Sequence, residues 1–84
     1  MDIAKTTLQI LDEALNLHGR SASFQAGTPL LGALPELDSM AVLAILTLLE
    51  ERFGIVINDD EIDGSVFTTV GTLITFVETR LGGR

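Results

Sequence analysis

Residues 37–54 read LDSMAVLAILTLLEERFG, and this stretch has the features of one complete helix. Asp38 is a favoured N-cap residue, and Gly54 is a favoured residue just after the last helical turn. Pro35 breaks helices and biases the residue before it toward an extended conformation, so the helix is expected to begin after it. Apolar residues recur at helical spacing between the two ends and predict the buried face: Met40, Leu43, Leu46, Leu49 and Phe53.

Ser39 occupies the first helical position, N1, if Asp38 is the N-cap. A side chain at N1 points outward and is not used by the cap itself, so the Ser39 hydroxyl is expected to face solvent. Free backbone N–H groups and the positive end of the helix dipole lie at the same terminus, and both favour a phosphate. The geometry therefore favours a phosphodiester on Ser39.

The composition is typical of a small helical bundle. The chain has 84 residues, 46% of them apolar and 5% aromatic, and this length suffices for one domain, residues 1–84, with a modest core. It contains no cysteine, which excludes disulfides, a cysteine nucleophile and thiolate metal ligands. Any thiol chemistry would have to come from an added group.

The chain is acidic, and its charge is unevenly distributed. Twelve acidic and five basic residues give a net charge of −7, of which −6 (nine acids against three bases) falls in residues 36–84. Such a surface disfavours nucleic acids and anionic lipids and attracts basic protein partners. The N-terminus lacks a signal-peptide pattern, and the longest apolar run, residues 40–49, is far short of the roughly 20 residues that a membrane span needs. We therefore expect a cytoplasmic monomer without a membrane span.

The segment before residue 37 predicts one helix and a long loop. Asp2 can cap a first helix that ends near His18 and Gly19. Its apolar face is expected to comprise Ile3, Leu8, Leu11 and Leu15, with Ile10 and Leu17 nearby. Residues 19–37 are rich in serine, glycine and proline and predict a loop, which apolar side chains would hold against the core. The candidates for this role are Phe24, Leu30, Leu31 and Leu34.

Residues 54–67 predict a linker followed by a short helix. Residues 54–57 should form an extended linker whose alternate side chains return to the core. Residues 58–64 are acidic and typical of turns. Asp63 can cap a single helical turn over residues 65–67, the expected third helix.

The remaining residues predict a final helix that ends at Gly82 and Gly83, with Thr68 or Thr69 as its N-cap. Its inward residues are expected to be Val70, Leu73, Ile74, Val77 and Leu81, with Phe76 beside them. The complete pattern predicts an all-α fold of three long helices and one short helix, with a long first loop.

The motif Asp38-Ser39-Met40, followed by an apolar helix that ends in Glu50, Glu51 and Phe53, resembles the acyl carrier protein family. The signature of that family is Asp-Ser-Leu at the start of the second helix. The resemblance extends over nearly the whole chain, including Ile57, the run at residues 67–70 and the last helix. It implies a four-helix bundle of acyl-carrier type in a single acyl carrier domain.

The resemblance also implies a function without enzymatic activity. In the family, the serine that corresponds to Ser39 is esterified by a phosphopantetheine arm, whose thiol carries acyl groups as thioesters. Asp38 would be recognised by the phosphopantetheinyl transferase in addition to serving as the N-cap. The other implied partners are acyl-loading and acyl-transferring enzymes of fatty-acid, polyketide or related biosynthesis.

The second helix departs from the commonest family pattern. Fatty-acid-type carriers usually have acidic residues soon after the serine, whereas this chain has Ala41 and Ala44 there, and Glu36-Leu37 replaces the usual Gly-x pair before the motif. Acidic residues return only near the end of the helix. We hypothesise that partners contact an apolar face, with a distal electrostatic anchor at two glutamates: Met40, Ala41, Ala44 and Thr47 form the face, and Glu50 and Glu51 the anchor.

Two other classes of function fit parts of the chain. The main alternative is a small helical adaptor that binds a partner through the exposed face of the second helix and carries no covalent group.

A serine hydrolase would need a base beside Ser39, but the single histidine, His18, lies at the end of the first helix, where a cation is an ordinary structural feature. We therefore expect no catalytic residues.

The acidic turn has part of a calcium-loop pattern. Its positions 1, 3, 5, 6 and 8 would be Asp59, Glu61, Asp63, Gly64 and Val66. Position 12 would be Val70 instead of a bidentate glutamate, and the preceding residues read as an extended segment. A solvated acidic turn is the better interpretation, so no metal site is expected.

Overall fold

The computed structural model describes residues 2–82, except for the side chain of Asp59, and contains three α-helices. These are α1 (Ile3–Leu15), α2 (Ser39–Phe53) and α3 (Val70–Gly82). Three 3₁₀ turns lie in the connections: Arg20–Ser23, Asp59–Glu61 and Gly64–Phe67. Apart from an isolated bridge between Pro29 and Thr69, the described residues form no strand, so the predicted all-α class is confirmed. None of the three helices has the length and apolar character needed to cross a membrane.

The expected short helix is instead the 3₁₀ turn Gly64–Phe67, so the described residues contain three helices and not four. Asp63 caps this turn as predicted and accepts a hydrogen bond from the Ser65 N–H (2.9 Å). The Thr68 N–H then donates to the Ser65 carbonyl, an i→i+3 bond. Thr68 is the C-cap of this turn and Thr69 is the N-cap of the next helix, so only these two residues separate the two elements.

α1 begins as predicted but ends earlier than His18 and Gly19. Its N-cap is Asp2, whose side chain accepts a hydrogen bond from the backbone of the first turn. Asn16 adopts the left-handed conformation (φ 53°), which asparagine tolerates better than most residues, and this ends the helix after Leu15. The next residue, Leu17, turns back into the core and is fully buried. Of the predicted apolar residues, Ile3 and Leu8 are only half-buried, and those fully enclosed are Ile10, Leu11, Leu15 and Leu17.

The inward face of α2 differs from the predicted one. The buried residues are Ala41, Ile45, Leu49 and Phe53. Met40 and Leu43, which the apolar spacing places inside, are 74% and 55% exposed. α2 is apolar on almost every side, so periodicity alone does not distinguish between neighbouring faces. The packing of α2 against α1 decides which face is buried.

The first loop is held against the start of α3 by backbone hydrogen bonds. The N–H groups of Leu30 and Leu31 donate to the carbonyls of Thr68 and Phe67 (3.0 and 2.9 Å). In return, the N–H groups at residues 70–71 donate to the carbonyls of Thr28 and Ala26. A turn begins at Leu31, directly after this contact, and Leu30 is fully buried whereas Leu31 is 51% exposed. The prediction that Leu31 holds the loop to the core was therefore wrong, while Leu30, Phe24 and Leu34 do pack on it.

The linker after α2 and the last helix form as the sequence predicts. Gly54 ends α2 in the left-handed conformation (φ 64°), and Ile55 is buried while Val56 is exposed. Thr69 caps α3: its hydroxyl accepts from the Thr72 N–H, and the Thr72 hydroxyl accepts from the Thr69 N–H. The inward residues of α3 are the buried Val70, Leu73 and Val77, with the partly buried Ile74 and Leu81 packed beside them. Gly82 is the last residue of α3, and Gly83 lies outside the described residues.

Asp12 of α1 fixes the beginning of the first loop. Its carboxylate accepts hydrogen bonds from the Ser21 hydroxyl (2.8 Å) and the Gly19 N–H (3.0 Å). These bonds to the charged form lower the pKa of Asp12, with the Ser21 hydroxyl making the largest contribution. The Asp12 side chain therefore fixes the position of residues 19–21, where the first loop begins.

Gly71→Ala should destabilise the protein by about 1–3 kcal/mol, because a Cβ at this position overpacks its surroundings. That Cβ would lie 2.9 Å from the Ala26 carbonyl oxygen, which already accepts the Gly71 N–H and cannot retreat without losing that bond. Urea unfolding followed by circular dichroism measures the difference. Gly27→Ala is the control, because a Cβ added there would meet nothing within 4 Å, and it should match the wild type or exceed its stability by up to about 1 kcal/mol. Equal stability of the two variants would contradict the overpacking explanation.

Candidate functional site

Asp38 is the N-cap of α2, as predicted. Its backbone is extended (φ −114°, ψ −174°), and its side chain accepts a hydrogen bond from the Ala41 N–H (2.8 Å). The Asp38 carbonyl accepts from the Val42 N–H (2.9 Å) and so begins the helical hydrogen-bond series. The first helical residue is therefore Ser39.

The Ser39 side chain is exposed at this N1 position. The chain has four serines, all within the described residues, and three of them use their hydroxyls internally. Ser21 donates to Asp12, Ser23 to the Arg20 carbonyl, and Ser65 to Asp63. The Ser39 hydroxyl has no hydrogen-bond partner in residues 2–82, and Asp38 leaves it free by taking the capping role.

The electrostatics at this end of α2 suit an anionic ester. The first turn of α2 has no acidic residue, and no charged residue occurs from Ser39 to Leu49. The helix terminus supplies unpaired N–H groups and the positive end of the dipole. A phosphate ester on the Ser39 hydroxyl fits this exposed position, with the Asp38 carboxylate as the one acid beside it in the sequence.

The predicted partner face is only partly at the surface. Met40, Ala44 and Thr47 are exposed, but Ala41 is 8% exposed and belongs to the core. Ala41 was assigned to the partner face in error, because it lies on the same side of the helix as Ile45. Leu43, predicted to be buried, is instead a surface residue. The exposed residues follow an i, i+3, i+4, i+7 pattern, which defines the apolar face of α2: Met40, Leu43, Ala44 and Thr47.

The two glutamates near the end of α2 differ in their availability. Glu50 is half-buried, and its carboxylate accepts a hydrogen bond from the Ile57 N–H (2.9 Å), so it holds the linker that follows α2. Glu51 is exposed. At 1.5 Å per residue, Glu51 lies about 18 Å along the helix from Ser39.

The other candidate residues do not gather into a second site. His18 is exposed in a left-handed turn (φ 54°) after α1. In the acidic turn, Glu61 pairs with Arg80, and Asp63 accepts from Ser65. Among the described residues, which exclude the Asp59 side chain, no three His, Cys, Asp or Glu side chains come together in a group able to hold a metal ion.

Comparison with known proteins identifies the family. Residues 22–77, well over half of the chain, match the family model described as a phosphopantetheine attachment site. The chain therefore belongs to the phosphopantetheine-binding family. The structure is also similar to the solution NMR structure of a holo acyl carrier protein from Nitrosomonas europaea, with 44% sequence identity and a TM-score of 0.89. That similarity covers 98% of this chain and 99% of the other. No curated protein matches the chain significantly.

Membership in this family makes the chain an acyl-group carrier and not an enzyme. Its cofactor is a covalently attached phosphopantetheine, the terminal thiol of which forms thioesters with acyl groups. The absence of cysteine from the chain agrees with this chemistry, because the reactive thiol belongs to the cofactor.

Asp38→Ala should destabilise the protein by about 1 kcal/mol, because it removes the acceptor of the Ala41 N–H at the start of α2. Ser39→Ala should change stability by less than about 0.5 kcal/mol, because its exposed hydroxyl makes no bond within the described residues. Thermal unfolding of the two unmodified variants beside the wild type measures both effects. A larger loss for Ser39→Ala than for Asp38→Ala would mean that the serine, not the aspartate, caps the helix.

Proposed function

We propose that this carrier holds acyl groups on a phosphopantetheine arm esterified to Ser39 and presents them to enzymes of fatty-acid, polyketide or related biosynthesis. The main support is that Ser39 alone among the four serines has a hydroxyl that is both exposed and without a partner among the described residues. The helix terminus beneath it favours the phosphate of the ester. Tethering the acyl group in this way gives it a high effective concentration beside each enzyme.

Asp38 has two roles in this proposal. Its side chain fixes the first turn of α2, and its exposed position next to Ser39 makes it part of the surface that the phosphopantetheinyl transferase recognises. The domain is proposed to comprise residues 1–84 and to act as a cytoplasmic monomer. A net charge of −7 supports the monomeric state, because like charges oppose self-association.

We further propose that partner enzymes bind the apolar face of α2, which surrounds the approach to the arm. Met40 and Leu43 are large apolar side chains exposed to solvent, a feature that often marks a protein interface. Glu51 supplies the distal electrostatic anchor, while Glu50 contributes less because its carboxylate is engaged by the linker. The general acidity of residues 36–84 steers basic partners toward this half of the molecule.

Incubation with coenzyme A and a broad-specificity phosphopantetheinyl transferase should add one phosphopantetheine arm to the wild type and none to Ser39→Ala, as read by intact-protein mass. Ser65→Ala is the matched control, because it also removes an exposed serine hydroxyl, and it should accept the arm normally. Addition to Ser39→Ala would place the arm elsewhere. No addition to a folded wild type would instead support the non-covalent adaptor.

Ala44→Arg should weaken the binding of the loaded carrier to a partner enzyme about tenfold, because it places a long cation in the centre of the apolar face of α2. Ala4→Arg makes the same change on the exposed side of α1 and should have little effect. Binding of each loaded variant to the same enzyme, measured by calorimetry, checks the prediction. Equal binding of the two variants would contradict the proposed face.

A further inference from the structure

An ion pair joins the first loop to the residues that lead into α2. Arg20, in the 3₁₀ turn after α1, places its guanidinium Nη2 2.5 Å from Oε2 of Glu36. Glu36 precedes Ser39 by three residues. The pair therefore connects the turn that follows α1 to the residues just before the attachment residue.

The Arg20 end of this pair is held in place by α1. The backbone on either side of Arg20 is bound to Asp12, through the N–H groups of Gly19 and Ser21. The Arg20 Nε also donates to the carbonyl of Leu17 (3.3 Å), a residue fully buried in the core. These bonds restrict the backbone of Arg20 and the inner part of its side chain, so the position of the guanidinium is restricted as well.

The Glu36 end is coupled to the N-cap of α2. The Glu36 carbonyl accepts a hydrogen bond from the Asp38 N–H (3.1 Å), so the position of Glu36 and that of the cap are linked. Its carboxylate is only partly exposed, and Oε1 is shielded from solvent. The bond from Arg20 holds the pKa of Glu36 below its usual value, which keeps the carboxylate charged. Loss of Arg20 would leave a partly shielded anion without its cation.

Apolar packing holds the segment before α2, residues 31–37, only in part. Leu37 is buried, but Leu34 is only half-buried, and residues 31–33 are exposed. Without the ion pair, the segment therefore remains folded but opens locally more often. Local opening of this kind is a property of segments with few buried contacts.

We infer that Arg20 and Glu36 are positioning residues that hold the first turn of α2, and thus Ser39, in the orientation that the modifying transferase uses. The inference rests on the proposed attachment of the arm to Ser39. It assigns a presentation role to a residue pair that lies outside the Asp38-Ser39-Met40 motif.

Amide hydrogen exchange of the unmodified protein tests the structural part. The Ala41 and Val42 N–H groups both bond to Asp38 and report the opening of the first turn. Arg20→Ala should accelerate their exchange about fivefold, at the upper end of what an exposed ion pair supplies. Arg52→Ala is the matched control, because it breaks a second exposed pair, with Glu13 (2.6 Å), at the other end of α2, and it should leave both rates within about twofold of the wild type.

The functional part is tested by the kcat/KM of arm addition with saturating coenzyme A. Arg20→Ala should lower it about fivefold, and Arg52→Ala should not. The double variant Arg20→Ala/Glu36→Ala should recover part of the loss in both measurements, because it removes the unpaired anion together with its partner. Thermal unfolding confirms that each variant is folded.

The inference would be overturned by unchanged exchange in Arg20→Ala, by equal effects of Arg20→Ala and Arg52→Ala, or by faster exchange with an unchanged kcat/KM. A double variant that performs worse than Arg20→Ala would also overturn it. Exchange is measured without the arm. If Arg20→Ala shows the expected faster exchange but the wild type accepts no arm on Ser39, the proposed function is contradicted and the structural role of the pair is not.

Discussion

The hydrogen bond from the Ala41 N–H to the Asp38 side chain determines where α2 begins, and much of the molecule depends on that point. It makes Ser39 the first helical residue and leaves its hydroxyl unused. From that point each residue turns by about 100° from the one before it, so Ala41 and Ile45 share one side of the helix and Met40 and Leu43 share another. Given that start, the packing of α2 against α1 buries Ala41 and Ile45 and leaves Met40 and Leu43 facing solvent.

Most ends of the elements could be predicted from the sequence because a local feature marks them, although α1 ends at Leu15 and not near His18 and Gly19. Asp2, Asp38 and Asp63 are caps in the structure, and Gly54 ends α2 with a positive φ. Such residues act on the backbone within three or four positions, so their effect does not depend on the rest of the fold. Ser39 could be singled out for the same reason.

The faces of the elements could not be predicted with the same success, because they depend on distant contacts. Nothing local distinguishes Leu30 from Leu31, and only the pairing with the start of α3 buries one and exposes the other. Likewise, nothing near Arg20 indicates that it meets Glu36, sixteen residues further along the chain. The short third helix is instead a 3₁₀ turn, Gly64–Phe67, closed by a bond from the Thr68 N–H to the Ser65 carbonyl.

Because four backbone hydrogen bonds join residues 26–31 to residues 67–71, the chain is not free to change its length at every point of the first loop. One residue inserted within 26–31 would break part of this set of bonds, because the donors and acceptors of the two segments would no longer match. Residues 32–35 make only short-range backbone hydrogen bonds within the described part of the chain, and most of their side chains are exposed. Length variation is therefore tolerated chiefly in those four positions. An insertion there would alter the outline of the molecule beside Ser39, and so the shape offered to an enzyme, while the helical core stayed the same.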